Sequence, residues 1–96
     1  MYDILIEDRA GIDIQDGIDY YNTESAGLGL KFETAVDKEF LAISKNPFYQ
    51  IRYKNIRCKL VKKFPYLIHF YVDEAIKTAY VLAVINTSKD PKENWL

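Results

Sequence analysis

The spacing of apolar residues changes period near the middle of the chain, and this change restricts the fold more than any other feature. Residues 10–44 carry apolar side chains at helical intervals, whereas residues 56–85 carry them in alternation or in a short continuous run. An amphipathic helix must bury its stripe, and alternating strands must pair into a sheet. The pattern therefore predicts two helices followed by a group of strands.

The first half predicts a short strand and a helical hairpin. Residues 2–6 read as a β-strand, and Asp8 is a suitable N-cap for the helix that follows. The second helix ends at Asn46-Pro47, because proline and the residue before it oppose helical geometry. The apolar stripes are Ala10, Ile14, Ile18 and Tyr21 in the first helix, and Leu28, Phe32, Ala35, Val36, Phe40 and Ile43 in the second.

The second half predicts three strands, over residues 56–61, 64–72 and 79–85, with turns at Lys62-Lys63 and at residues 73–78. We therefore expect an α+β domain over residues 1–96, in the order β-α-α-β-β-β. The helical hairpin would cover one face of a small, mainly antiparallel sheet. Strand parity predicts that the opposite, open face carries Arg57, Lys59, His69 and Tyr71.

Composition supports one small globular domain. The chain has 96 residues, of which 49% are hydrophobic, so it can bury a core. No apolar run approaches the roughly 20 residues that span a bilayer, and the acidic start does not resemble a signal peptide. One cysteine, Cys58, excludes an internal disulfide framework. These features predict a cytoplasmic protein that makes no membrane contact.

Charge is divided unevenly along the chain. Residues 1–44 hold three basic and ten acidic side chains, whereas residues 45–96 hold ten basic and four acidic ones. This asymmetry is typical of a protein that presents a basic surface to an anionic partner. It is equally typical of a domain whose acidic helices and basic strands neutralise each other, and the sequence leaves both interpretations open.

The order of elements and several sequence segments resemble those of the RelE/ParE superfamily of toxins. The segments are DIQDGIDYYN, GLGLKFETAVDKEFLAISKNP, YKNIRCKLVKKFPYLIHFYVD and VLAVINTSKDPKENW, which together cover nearly the whole chain. The resemblance implies the toxin of a bacterial type II toxin–antitoxin pair, which inhibits growth, serves in plasmid stabilisation and is neutralised by a cognate antitoxin in a hetero-oligomer. RelE-like members cleave ribosome-bound mRNA, and ParE-like members inhibit DNA gyrase.

The candidate site residues favour the ParE-like branch. Ribonuclease relatives tend to carry arginine where Leu67 stands, histidine where Asn86 stands and arginine where Lys89 stands. Asparagine transfers no proton, and lysine lacks the planar fork that grips a phosphate. His69 is either a general base or a hydrogen-bonded strand residue, and Arg57 and Lys59 either bind phosphate or form a solvated face.

The sequence therefore predicts inhibition by binding rather than by catalysis, without a catalytic set, a metal site or a cofactor. One alternative is a ribosome-dependent ribonuclease that uses Arg57, His69 and Lys89. The other is a binding module without toxicity. The residues expected to bind the target or the antitoxin are Arg57, Lys59, His69, Tyr71, Asn86 and Lys89.

Overall fold

Two helices pack on one side of a five-stranded sheet. The computed structural model describes residues 1–88. The elements in chain order are β1 Asp3–Ile6, α1 Asp8–Glu24, α2 Leu28–Lys45, β2 Ile51–Tyr53, β3 Ile56–Leu60, β4 Tyr66–Asp73 and β5 Thr78–Asn86. The predicted α+β class and helical hairpin are confirmed, and β2 is added to the predicted order.

The strand order in the sheet is β1-β5-β4-β3-β2. β1 runs parallel to β5, and the other neighbours are antiparallel, so the predicted mainly antiparallel sheet is confirmed. The first strand of the chain thus pairs with the last, so residues from both halves of the sequence form one sheet. A register shift between His69 and Phe70 leaves Leu82 of β5 as an extra residue, which is a β-bulge.

Two glycines allow the helices to approach closely. A Cβ at Gly17 of α1 would lie 2.5 Å from the Phe32 ring, and one at Gly29 of α2 would lie 2.6 Å from the Ile18 carbonyl oxygen. Gly27 reverses the chain between the helices at φ 86°, where a side chain would be strained. Tertiary packing therefore explains why α1 tolerates a glycine in its interior.

The core lies between the helical hairpin and the central strands. It also includes an aromatic cluster in which Tyr21, Phe32, Phe64 and Tyr66 meet mostly edge to face or tilted. Such contacts add to the free energy gained by burial. The largest fully buried apolar side chains from the helices and strands are Phe32, Val36, Ile43, Ile68, Phe70 and Val81.

Three differences from the predictions concern a helix cap, a strand start and a missed strand. Glu7, rather than Asp8, is the N-cap of α1, and its side chain makes no capping bond. β4 begins at Tyr66, because residues 62–65 form the turn in which the Phe64 amide donates to the Val61 carbonyl. β2 is too short to show a period, so the sequence pattern does not reveal it.

Candidate functional site

Arg57 and Lys59 lie on the face of the sheet that the helices cover. The β3–β4 register places Arg57 opposite Phe70 and Lys59 opposite Ile68. Residues directly opposite in an antiparallel pair share a face, and both Phe70 and Ile68 belong to the core under the helices. The prediction that the two cations share the open face with His69 and Tyr71 is therefore wrong.

Arg57 is held by the segment that leads into β2. Its Nη1 donates a hydrogen bond of 2.6 Å to the Tyr49 carbonyl. Its guanidinium lies 5.3 Å from the centre of the Phe48 ring, within range of a cation–π contact. These contacts anchor the loop after α2 on the sheet, and they occupy part of the fork that an anionic ligand would need.

Lys59 joins the sheet to α2. Its ammonium lies 2.8 Å from Glu39 Oε1, and the two side chains are 24% and 10% exposed. Glu39 Oε2 also accepts a bond of 3.2 Å from the Lys62 amide, so one carboxylate bridges α2, β3 and the following turn. A largely buried pair of this kind is costly to break on one side only. Lys59 thus has a structural role in the fold.

His69 is fully buried on the opposite face. It lies across from Cys58, whose Sγ is 3.6 Å from His69 Nδ1, and the Tyr53 hydroxyl is 2.9 Å from the same nitrogen. Burial, assisted by the charge of Arg9, lowers the pKa of His69 to about 4. The imidazole is therefore neutral near neutral pH. Burial also raises the pKa of the Cys58 thiol, which disfavours the nucleophilic thiolate.

Tyr71 lies on the same face as His69, nearer the end of β4. Its ring stacks on that of Tyr80 in β5, with centroids 4.8 Å apart and an interplanar angle of 13°. Both rings are partly exposed. The two stacked rings form a flat aromatic surface near the sheet edge where β1 pairs in parallel with β5.

Asn86 closes β5 opposite Tyr66 and lines a cleft of about 650 Å³. We call this the α1–β5 cleft, and its other lining residues are Arg9, Asp13, Asp16, Gly17, Tyr20, Tyr66, Val84 and Ile85. The Asn86 side-chain oxygen accepts a bond of 2.8 Å from the Ser88 amide. Lys89, the remaining predicted site residue, and the predicted fold-back of Trp95-Leu96 lie outside the described residues.

Asp13 covers the edge of β5 beside this cleft. β1 pairs with β5 only as far as Ile6 and Val81. Beyond that point the Val84 amide donates a bond of 2.9 Å to Asp13 Oδ2, and Arg9 Nε lies 3.8 Å from the same oxygen. A side chain of α1 thus satisfies a strand-edge donor that β1 does not reach.

Four exposed lysines lie together elsewhere, along a groove between α2 and the β3–β4 turn. Lys31, Lys38, Lys62 and Lys63 line it together with Ala35 and Phe64, and its volume is about 790 Å³. We call it the lysine groove. One sequence feature could have indicated part of this groove. Lys31 and Lys38 are seven residues apart, which places them on one face of a helix. Only the tertiary fold brings that face beside Lys62-Lys63.

Residues 1–88 contain no group of three histidine, cysteine or acidic side chains arranged to hold a metal ion. In the same part of the chain, neither helix is both long and apolar enough to cross a membrane.

Comparison with known proteins identifies the fold. No family model matches the chain, and no curated protein matches its sequence. The chain is similar to a solved structure described as the chromosomal ParDE TA system from P. aeruginosa, with a TM-score of 0.66. The alignment covers 90% of this chain and 96% of that one, at 16% sequence identity. The resemblance predicted from the sequence is confirmed at the level of fold, because this chain and a chain of the ParDE structure share one fold.

Proposed function

We propose that the chain is the toxin of a type II toxin–antitoxin pair and that a cognate antitoxin neutralises it. The fold similarity to a chain of a ParDE system, over 90% of this chain and 96% of that one, supports this proposal. The sequence segments that resemble those of the superfamily support it as well. A fold alone does not fix an activity, so the placement of individual side chains must separate target binding from RNA cleavage.

The placement of Arg57 and His69 favours binding. RNA cleavage requires a base at the 2′-hydroxyl and cations at the neighbouring phosphate, all within reach of one bond. Arg57 faces the helices, whereas His69 faces the other side of the sheet, because each shares a face with its cross-strand partner, Phe70 or Cys58. The two side chains cannot act on one phosphate. This observation carries the proposal of a non-catalytic inhibitor, and the ParE-like resemblance of the sequence supports DNA gyrase as its target.

Target contact is assigned to the predicted residues that reach the surface. Tyr71 presents a stacked ring and Asn86 lines the α1–β5 cleft, and both are partly exposed. His69, in contrast, is fully buried, and Arg57 and Lys59 are engaged by internal partners. Alanine at Tyr71 or Asn86 is expected to reduce inhibition while the protein stays folded.

Induced expression in bacteria tests the toxin assignment. The wild-type chain should reduce colony counts, and co-expression of the protein encoded beside it should restore them. Glu33→Gln, on the exposed outer side of α2, should remain toxic. Gly17→Leu should lose toxicity, because its side chain would overlap the Phe32 ring.

Normal growth with folded wild-type protein would overturn the toxin assignment and favour the non-toxic binding module. Growth inhibition by both the wild type and Gly17→Leu would reveal an expression burden instead, which also contradicts the proposal. Primer extension on messages isolated after induction addresses the ribonuclease alternative, since cleaved messages would contradict the non-catalytic proposal.

A further inference from the structure

The stacked Tyr71 and Tyr80 rings belong to an apolar row that crosses three strands. Leu5 of β1 pairs with Tyr80 of β5, which in turn pairs with Tyr71 of β4. Paired residues share a face of a sheet. This face is the one opposite the helices, because His69 lies on it two residues before Tyr71. Leu5 is 44% exposed and both rings are partly exposed, so the row is an apolar surface that the helices leave uncovered.

Carboxylates border this row on two sides. Asp3 and Glu7 lie two residues before and two residues after Leu5. Asp73 lies two residues after Tyr71. Strand alternation places these three carboxylates on the face of the apolar row. Glu7 follows β1 directly and keeps an extended backbone, at φ -68° and ψ 158°, so the alternation continues through it.

The charge of these acids is not cancelled within the described chain. Asp3 and Asp73 lie about 10 Å apart on opposite sides of β5, because both pair with the same residue of that strand. Among residues 1–88, neither these carboxylates nor Glu7 forms an ion pair with Lys77 of the adjoining turn or with any other cation. Burial raises the pKa of the Tyr71 hydroxyl, and the charges of Glu7 and Asp73 raise it further. Both carboxylates therefore act on Tyr71, whose phenol stays protonated and able to form hydrogen bonds.

Arginine is the side chain that best complements this surface. Its planar guanidinium forms paired hydrogen bonds with carboxylates, and phenol oxygens accept further bonds from it. Its aliphatic stem packs on apolar side chains such as Leu5. The phosphates of a nucleic acid, in contrast, would be repelled by the three carboxylates. The surface extends about 13 Å along β1, from Asp3 to Glu7, and about 10 Å across the strands, which suits a short protein segment.

The acidic aromatic surface, as we call it, consists of Asp3, Leu5, Glu7, Tyr71, Asp73 and Tyr80. We propose that it binds an arginine-rich segment of the protein that the toxin inhibits. The identity of the partner as the toxin's target rests on the proposed function, whereas the chemistry of the segment rests on the carboxylates and the two rings. Tyrosine is common among the residues that contribute most to protein interfaces, especially at their centres. The target contact of Tyr71 thereby extends to the residues around it.

NMR titration of the isotope-labelled chain with synthetic peptides tests the inference. The first peptide has about six residues, in which arginine alternates with leucine, and is roughly 20 Å long when extended. The second is its twin with glutamine for arginine. The surface variant is Glu7→Gln/Asp73→Asn, and the matched control is Glu33→Gln/Asp37→Asn, which removes two exposed charges from α2. The surface variant should fold, because Glu7 makes no capping bond and asparagine keeps the oxygen that accepts from the Ala75 amide.

The arginine peptide should bind the wild type and shift the amide signals of residues 3–7, 71–73 and 78–80. The surface variant should bind this peptide about tenfold more weakly, with a reduced dependence on salt. The control variant should stay within about twofold of the wild type, and the glutamine peptide should bind the wild type about tenfold more weakly than the arginine peptide. Circular dichroism checks that each variant is folded. If the surface variant does not fold, Asp3→Asn/Asp73→Asn replaces it, because Asp3 is exposed and need only lose its charge.

Equal binding of the two peptides, or equal weakening by the surface and control variants, would overturn the inference. Self-association of the wild type that the surface variant loses, measured by sedimentation, would assign the surface to a second copy of the chain and would overturn it as well.

Colony counts after induction connect the surface to the target. A folded surface variant that loses peptide binding should also lose much of its toxicity, and full toxicity would overturn the assignment of the surface to the target. Peptide binding by a wild type that does not inhibit growth would refute only the proposed function. A toxic wild type that does not bind the arginine peptide would refute only this inference.

Discussion

Acidification is expected to destabilise the protein through His69. The imidazole is fully buried against Tyr53 of β2 and Cys58 of β3, and its pKa is about 4 in the folded state. The ordinary value in an unfolded chain is about 6.5. The unfolded state therefore takes up the proton first as pH falls. The stabilising effect of the neutral ring is complete above about pH 6.5 and is lost progressively toward pH 4.

The size of the effect follows from the difference in pKa. Each pKa unit corresponds to about 1.4 kcal/mol, so the full loss below pH 4 is about 3 kcal/mol. Between about pH 7.5 and pH 5 the same linkage gives a loss of about 2 kcal/mol in the free energy of unfolding. That is a large fraction of the roughly 5–15 kcal/mol by which small domains are stable.

Urea unfolding at these two pH values measures the loss, and His69→Gln is the matched control. Glutamine does not titrate and still offers a hydrogen-bonding group to the Tyr53 hydroxyl. Carboxylates contribute equally in both proteins, so the wild type should lose about 2 kcal/mol more than the variant between the two pH values. The same pH dependence in both proteins would refute the assignment of the effect to a buried neutral histidine.

Two further predictions, each with a matched control variant, test the packing that positions the cleft and the helices. Gly17→Ala should destabilise the fold by about 1–3 kcal/mol, because its Cβ would lie 2.5 Å from the Phe32 ring. Gly11→Ala, which meets no heavy atom within 4 Å, should stabilise α1 by up to about 1 kcal/mol. Thermal unfolding compares the two, and equal effects would contradict the close approach of the helices. Asp13→Ala should cost about 1–3 kcal/mol by leaving the Val84 amide without its carboxylate acceptor. Asp13→Asn, which keeps an acceptor oxygen, should cost less than half as much in chemical denaturation, and equal costs would contradict the hydrogen bond.

Hydrophobic period was sufficient to predict both helices and the three longer strands, because each of these elements buries one recognisable face. It did not reveal β2, whose three residues are too few to show alternation. Hydrophobic period also could not predict the parallel pairing of β1 with β5, since it describes which faces of a strand are buried and not which strands are its neighbours.

The candidate site was harder to predict because strand parity misassigned the faces of β3. Ile56, Cys58 and Leu60 alternate as a core face would, but Arg57 and Lys59 are the residues that lie under the helices. Long basic side chains can bury their aliphatic stems along apolar surface while the charged ends find partners. Here the partners are the Tyr49 carbonyl and Glu39, which come from other parts of the chain. No local sequence pattern therefore predicts these contacts.

His69 was correctly considered as a hydrogen-bonded strand residue, although its complete burial exceeds the half-buried position expected from a mixed face. The lysine groove was missed for a related reason. Lys62-Lys63 was visible as a turn, but its position beside α2 depends on how the helical hairpin is laid on the sheet. Local spacing could identify the pair of lysines on α2 and could not place them across from the turn.

The most direct test of the central claim is DNA supercoiling by purified gyrase in the presence of the purified chain. A toxin that acts by binding gyrase should inhibit supercoiling in proportion to its concentration, and an excess of its antitoxin should abolish the inhibition. His69→Gln should inhibit as the wild type does, because the ring is buried and takes no part in the contact. Unimpaired supercoiling by a folded, toxic chain, together with cleaved ribosome-bound messages, would contradict the account.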